Sequence, residues 1–228
     1  ASLAGFAVLA RIAVGHWQNS ETLFTQALKA TSRNQVAHLN LALHLLETGR
    51  TEAALKHYGQ ALKLNPRSAA LLNHAGIALL KAGQIASAKA YFEKALATAP
   101  GSFEAHNNLG NLFAIEGRYA EATEHYSKAL TANPDSAEVH NNLGKIQRER
   151  PADAIYHLTL ALKLQPDYFE AHYNLAIALA NAGRVDEAMS QLEAAQKLHP
   201  GDADVLRELG LLVAARGQFG RAAEIFEQ

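Results

Sequence analysis

The sequence predicts an all-α fold, built from a tandem series of antiparallel helix pairs. Prolines recur at intervals of 34, 34, 32 and 34 residues. Glycines keep the same step except for one missing member between Gly117 and Gly183, and each is followed five residues later by an alanine. A fixed period of this length is typical of repeat architectures in which each unit is a single helical hairpin. The prolines are Pro66, Pro100, Pro134, Pro166 and Pro200, and the glycines are Gly49, Gly83, Gly117, Gly183 and Gly217.

Each marker of the repeat has a structural role. The glycine is expected to end the first helix of a pair, where a left-handed backbone is costly for other residues. The proline is expected to stop the second helix and start the next pair. The alanines let two helices approach closely, and we expect Ala88, Ala122 and Ala188 to be buried. A large apolar residue four positions later is expected to fill the gap between hairpins. These residues are Tyr58, Phe92, Tyr126, Leu192 and Phe226.

Two segments carry the whole pattern, "AHNNLGNLFAIEGRYAEATEHYSKALTANP" and "AHYNLAIALANAGRVDEAMSQLEAAQKLHP". In these segments the chain resembles the tetratricopeptide repeat (TPR) family. The resemblance covers residues 35–228 and, more weakly, residues 1–34. It implies antiparallel helix pairs stacked into a right-handed superhelical solenoid, in which the first helix of each pair lines a concave groove.

The repeat divides the chain into six units, preceded by residues 1–34 as N-terminal helices, a degenerate repeat or a membrane-proximal segment. In this first segment we expect a helix over residues 17–33, with Asn19 or Ser20 as its N-cap. The last unit is incomplete and ends within a helix, and we expect it to expose Ile225 and Phe226. The six units are 35–68, 69–102, 103–136, 137–168, 169–202 and 203–228.

The unit at 137–168 is two residues short and lacks the glycine. We expect Pro151 to open its second helix. Two interpretations of the deletion stay open. It is either a tolerated deletion in a loop, or it marks a local change in the curvature of the superhelix or a site for a partner at Lys145, Arg148 and Arg150.

The segment "ASLAGFAVLARIAVGHW" is apolar on all sides. Either its residues 1–14 continue a membrane helix, or the segment is a hydrophobic helix that caps the solenoid or packs on a neighbour. The passage "GHWQNSETLFTQALKATSRNQVAHLNLA" resembles bacterial membrane proteins in which a glycosyltransferase-like region precedes such repeats. That resemblance implies membrane attachment through the N-terminus, with the repeats in the periplasm. A cytoplasmic location is the alternative.

Composition and motifs argue against several classes of function. The net charge is -1, without the basic excess typical of nucleic-acid binding. There is no cysteine, which excludes disulfides, zinc-thiolate sites and cysteine nucleophiles. The chain contains no glycine-rich phosphate loop, GxSxG or HExxH motif. We therefore predict that the chain is not an enzyme, with no catalytic residue, no metal and no cofactor.

Four histidines occupy one slot of the repeat: His38, His106, His140 and His172. Equivalent residues of stacked hairpins lie on the order of 10 Å apart. Four such side chains cannot converge on one metal ion, whose ligands lie at about 2 Å. We therefore expect this histidine column to pack between helices.

Asparagines follow two residues after the histidines, at Asn40, Asn108, Asn142 and Asn174. Two residues on a helix correspond to about 200° of rotation, so these amides are expected to face the groove. The array resembles the repeat region of the O-linked N-acetylglucosamine transferases, which bear an asparagine ladder. An amide ladder would hold an extended peptide by its backbone. The alternative is that asparagine belongs to the common repeat pattern and only solvates the groove. The predicted contact residues are Asn40, Asn73, His74, Asn107, Asn108, Asn111, Asn141, Asn142, Lys145, Tyr173 and Asn174.

The leading functional hypothesis is a non-catalytic scaffold that binds a peptide or an extended protein segment in its groove. The alternative is a structural or self-association module attached to a membrane domain. In that case the terminal repeats would join copies into a homo-oligomer, since an unfinished repeat exposes apolar surface.

Overall fold

The computed structural model describes residues 20–31 and 33–227. The described residues form thirteen α-helices and no strand, which confirms the all-α prediction. The helices are α1 (Ser20–Ala30), α2 (Gln35–Glu47), α3 (Thr51–Leu64), α4 (Ala69–Lys81), α5 (Ile85–Thr98), α6 (Phe103–Ile115), α7 (Tyr119–Ala132), α8 (Ala137–Ile146), α9 (Pro151–Leu164), α10 (Phe169–Asn181), α11 (Val185–Leu198), α12 (Ala203–Ala215) and α13 (Phe219–Phe226).

The chain divides after Leu112, within α6, into two compact units. The N-terminal unit contains α1–α5 and most of α6. The C-terminal unit contains the end of α6 and α7–α13. Within each unit consecutive helices pack as hairpins, among them α2 with α3, α4 with α5, α8 with α9, α10 with α11 and α12 with α13. The boundaries of the six predicted units stay a prediction.

The turn inside each regular hairpin depends on its glycine. Gly49, Gly83, Gly117, Gly183 and Gly217 all have φ between 74° and 77°, as the sequence predicted. At Gly49 the chain reverses so tightly that the Arg50 N–H donates to Leu45 O at 2.8 Å. This bond satisfies a carbonyl that the end of the helix would otherwise leave without a partner.

Small residues face large ones inside each hairpin. Ala88, Ala122 and Ala188 are fully buried, as expected. The sequence suggested that the large apolar residue fills a gap between hairpins, but this residue also packs inside its own hairpin. A Cβ atom added to Gly76 of α4 would lie 2.5 Å from the ring of Phe92 in α5, so the ring packs against the first helix of its own hairpin. Gly144 with Leu158 and Gly210 with Phe226 repeat this arrangement at 2.4 Å.

The shortened hairpin does not have a shortened loop, as one interpretation of the deletion supposed. The helix α8 has 10 residues, whereas the other first helices, α2, α4, α6, α10 and α12, have 13. The turn at 147–150 has four residues, one more than the turn at 182–184. The missing residues are therefore lost from the end of the helix. Pro151 is the first residue of α9, as predicted, because proline needs no backbone N–H there.

The two ends of the chain depart from expectation. The helix α1 ends at Ala30, before the predicted end at residue 33. The candidate N-cap Asn19 and the proposed membrane segment 1–14 lie outside the described residues. No helix in the described part is long and apolar enough to cross a membrane. At the C-terminal edge Ile225 is buried, so its predicted exposure is wrong, while Phe226 is 53% exposed.

Candidate functional site

Three histidines of the column tie their hairpins to the turn that precedes each one. Nε2 of His106, His140 and His172 lies 3.0, 3.1 and 2.9 Å from the carbonyl oxygens of Pro100, Pro134 and Pro166, respectively. A carbonyl oxygen only accepts hydrogen bonds, so Nε2 carries the proton in each ring. The repeating proline and the repeating histidine are therefore two halves of one interaction.

The other ring nitrogen of the histidine column faces the second helix of the hairpin. Nδ1 of His38 lies 2.9 Å from Nδ1 of His57, and the same atoms of His140 and His157 lie 3.0 Å apart. Because Nε2 of His140 donates to Pro134, its Nδ1 must accept, and His157 donates from its own Nδ1. Burial lowers the pKa of His57 and His157, and the neighbouring histidine lowers it further. These histidines hold helices together in their neutral form.

Two asparagine pairs link successive first helices. Nδ2 of Asn108 in α6 donates to Oδ1 of Asn73 in α4, at 2.9 Å. In the C-terminal unit, Nδ2 of Asn174 in α10 donates to Oδ1 of Asn141 in α8, also at 2.9 Å. Sequence reasoning treated all these residues as peptide contacts and missed the links between them. The available signal was the spacing of 35 and 33 residues between the two members of each pair.

The predicted contact residues fall into two groups by burial. Asn73, Asn107 and Asn141 are buried, with 6%, 7% and 4% of their surface exposed, so they support their neighbours and leave little surface for a ligand. Lys145 is exposed, and the rest are partly exposed: Asn40, His74, Asn108, Asn111, Asn142, Tyr173 and Asn174. Asn174 keeps an N–H and its carbonyl oxygen after bonding to Asn141. Asn174 thus retains hydrogen-bonding capacity.

In the C-terminal unit three of the predicted residues meet in one recess of about 370 Å³. Lys145, Tyr173 and Asn174 line it. Sequence reasoning had not placed Ile177, Asn181 or Glu208 there, although Glu208 occupies the asparagine slot of its repeat. The wall of the recess also includes Gly144, Arg148, Pro151 and Ala154 from the shortened hairpin. We call this the groove recess.

In the N-terminal unit a second recess of about 520 Å³ includes two predicted residues, Asn73 and His74. Ser102 and Glu104 lie opposite them. The ring of His74 stacks on Tyr58 at 6.3 Å between centroids, and burial lowers its pKa. The other predicted residues line neither recess: Asn40, Asn107, Asn108, Asn111, Asn141 and Asn142.

The groove recess presents positively charged side chains, a negatively charged side chain and a phenol. Neither Lys145 nor Arg148 forms a salt bridge with a described residue. Glu208 is paired with Arg207 at 3.2 Å. Burial raises the pKa of Tyr173, and the negative charge of Glu208 raises it further, so the phenol keeps its proton and can donate. Within residues 20–31 and 33–227 no group of three or more acidic or histidine side chains could hold a metal ion.

Comparison with protein families agrees with this hairpin geometry. Two family models described as tetratricopeptide repeat match residues 73–137 and 145–212, and a third, described as TPR repeat, matches residues 42–83. Together they span more than half of the chain. The chain belongs to the TPR family. TPR repeat proteins are generally non-catalytic scaffolds, and the fold of this one is consistent with protein–protein interaction.

Solved TPR structures share the fold. The chain is similar to PilF of Pseudomonas aeruginosa, with 24% identity, a TM-score of 0.77 and coverage of 84% of this chain and 88% of that one. It is similar to YrrB, described as a TPR protein with an unusual peptide-binding site, with 22% identity, a TM-score of 0.63 and coverage of 81% and 96%. A thermophilic TPR protein of Thermus thermophilus, TTC0263, has 25% identity, a TM-score of 0.63 and coverage of 79% and 100%. No curated protein matches the chain by sequence.

Proposed function

We propose that this TPR scaffold binds an extended polypeptide segment on the face formed by its first helices. The groove recess carries the proposal, because it collects an amide, a phenol and unpaired cations from neighbouring hairpins around Asn174. An extended backbone presents N–H and C=O groups at regular steps, and an amide side chain satisfies either of them. The description of YrrB as a peptide-binding TPR protein is in keeping with this proposal.

Affinity should be shared among several weak contacts. Each amide hydrogen bond contributes about 0.5–1.5 kcal/mol net. One asparagine-to-alanine change should therefore weaken binding only slightly, whereas Asn108→Ala, Asn142→Ala and Asn174→Ala together should abolish it. Asn108 and Asn174 also hold Asn73 and Asn141, so the triple variant must be shown to fold before its binding is judged.

The experiment is a selection of random dodecapeptides displayed with both ends fused, so that no free terminus is offered. Selected peptides are then synthesised with blocked ends, and their affinity is measured by fluorescence anisotropy. A matched control carries Gln60→Ala, Asn65→Ala and Asn133→Ala, which lie off the first helices. We expect the control to bind like the parent and the triple variant not to bind. A folded triple variant with undiminished affinity would remove the groove from consideration.

Self-association is the second candidate function, and one observation favours it. Leu211, Phe219 and Phe226 of α12 and α13 are 53%, 72% and 53% exposed, and neighbouring exposed apolar side chains are typical of interaction surfaces. Light scattering over a dilution series tests this. A mass that falls from dimer to monomer, and a Phe219→Ser variant that stays monomeric, would support self-association. A concentration-independent monomer would exclude it.

A further inference from the structure

The shortened hairpin opens a further recess, which lies on the other side of its turn from the groove recess. This edge recess, of about 510 Å³, lies between the start of α7 and the turn at 147–150. It is lined by Tyr119, Ala120, Thr123, Ile146, Gln147, Arg148, Glu149 and Arg150. Arg148 lines this recess and the groove recess alike. One side chain therefore joins a site on the first-helix face to a site on the edge of the hairpins.

The length of α8 explains the opening. Each other first helix runs for 13 residues before its glycine turn, whereas α8 stops at Ile146 after 10. Three residues of helix correspond to nearly one turn, about 4.5 Å of length. Where a regular hairpin would present this last turn of helix, the chain has the open turn 147–150.

We infer that the bound segment crosses the edge of the array at the turn 147–150, and that Arg148 binds an acidic side chain of that segment as it crosses. The inference rests on the proposed function. An apolar side chain next to the acidic one packs into the edge recess, on Tyr119, Ala120 and Ile146. The partner is thus a polypeptide in which an acidic residue neighbours a large apolar one.

Charge selects the acidic side chain. Arg150 approaches Asp153 at 4.0 Å, whereas Arg148 has no salt-bridge partner among the described residues. Its guanidinium can form paired hydrogen bonds with a carboxylate, which a lysine cannot do with the same geometry. On the apolar side Tyr119 is 51% exposed, and covering its ring removes apolar surface from water.

A chimera provides the first test, because the chain contains its own regular template. Replacing residues 146–154 with a copy of residues 112–122 substitutes the preceding glycine turn for the short one, from the end of the first helix to the buried alanine of the second, and keeps Lys145. The edge recess and Arg148 disappear together, while Asn142 and Asn174 stay. From the same displayed library, the parent should select peptides with an acidic residue beside a large apolar one. The chimera should select peptides without that preference.

Point variants test the two contacts separately and do not depend on the chimera folding. Arg148→Glu should lower the affinity for the peptide selected by the parent by about fivefold or more, since a charge pair near the surface is worth up to about 1 kcal/mol and reversal adds repulsion. Its own selection should favour lysine or arginine at the same position. Ala120→Trp should block the edge recess and lower the affinity for the same peptide. Lys163→Glu and Thr131→Trp, both exposed in the same unit, are the matched controls and should bind like the parent.

The outcomes separate the inference from the proposed function. Suppose that binding needs the asparagines, yet the parent, the Arg148→Glu variant and the chimera all select peptides with the same acidic preference. That result would overturn the inferred crossing at the turn and leave the proposed function standing. Peptides that bind the triple asparagine variant as well as the parent overturn the groove itself. Loss of the acidic preference in Arg148→Glu and weaker binding by Ala120→Trp, with both controls unaffected, supports the crossing at the turn.

Discussion

At the scale of single residues, stability depends on small side chains that face large ones. Ala122 of α7 is fully buried. Replacing it with leucine should overpack the helix contact and lower the free energy of unfolding by about 1–3 kcal/mol. Ala120→Leu, an exposed position on the same helix, is the control and should stay near the parent. Chemical denaturation measures both. An Ala122→Leu variant as stable as the parent would show that the hairpin register is wrong.

The histidine pairs predict a pH dependence of stability. The pKa of His57 and His157 is lowered in the fold, whereas in the unfolded chain they titrate near 6.5. The unfolded state therefore takes up protons first, and stability that is present above about pH 6.5 is lost as the pH falls below it. Asp153 opposes the effect at His157 by attracting the charged form.

The measurement is the denaturation midpoint from about pH 7.5 to about pH 5, a range that spans the titration of histidine. The parent should lose stability over that range, and a variant with His57→Gln and His157→Gln should lose less. Exposed His199→Gln is the control and should follow the parent. Equal pH profiles for the parent and the double variant would contradict the role given to the pairs.

Residue-level prediction from sequence succeeded for the buried alanines and the turn glycines and was incomplete for polar contacts. Buried alanines and turn glycines follow from spacing, because each obeys a local steric rule. The spacing of 35 and 33 residues places the members of each pair in successive hairpins, but the hydrogen bonds from Asn108 to Asn73 and from Asn174 to Asn141 also depend on how those hairpins are offset. The sequence therefore assigned Asn73 and Asn141 to the surface, whereas they are buried.

At the scale of helices and turns, one glycine substitution should destabilise and another should stabilise. Gly117 has φ of 74°, and an alanine there costs about 1–2 kcal/mol because its Cβ crowds the backbone. Gly59 lies within α3 and is exposed, with nothing within 4 Å of an added Cβ. Alanine there should add about 1 kcal/mol of stability. Thermal melting that places Gly117→Ala at or above Gly59→Ala would contradict the turn geometry.

The shortened hairpin marks the limit of sequence reasoning at this scale. The deletion and the role of Pro151 could be predicted from spacing and from the chemistry of proline. The loss of three residues from α8 could not, because the turn 147–150 closes without a glycine through the bond from the Arg150 N–H to Gln147 O at 2.9 Å. The recesses on both sides of that turn were therefore not foreseen, although Lys145, Arg148 and Arg150 were noted as a candidate partner site.

At the scale of the whole molecule, the repeat period was enough to predict the fold and the family, because the hairpins other than the shortened one obey the same local rules. The site was predicted only in part. Lys145, Tyr173 and Asn174 share the groove recess, but Ile177 and Asn181, one and two turns beyond the asparagine slot, carry no marker in the repeat pattern. Side chains that line a recess by their place on a helix, without a recurrent residue type, are invisible to a search for periodicity.

The most direct test of the central claim is protection of single cysteines by a bound peptide, since the natural chain contains no cysteine. Ile177→Cys places a thiol in the groove recess, and Ser190→Cys places one on the exposed surface of α11. The rate of maleimide labelling is measured with and without a saturating selected peptide. The account predicts slower labelling at Ile177→Cys and an unchanged rate at Ser190→Cys. An unchanged rate at Ile177→Cys, with the peptide shown to be bound, would contradict binding on the first-helix face.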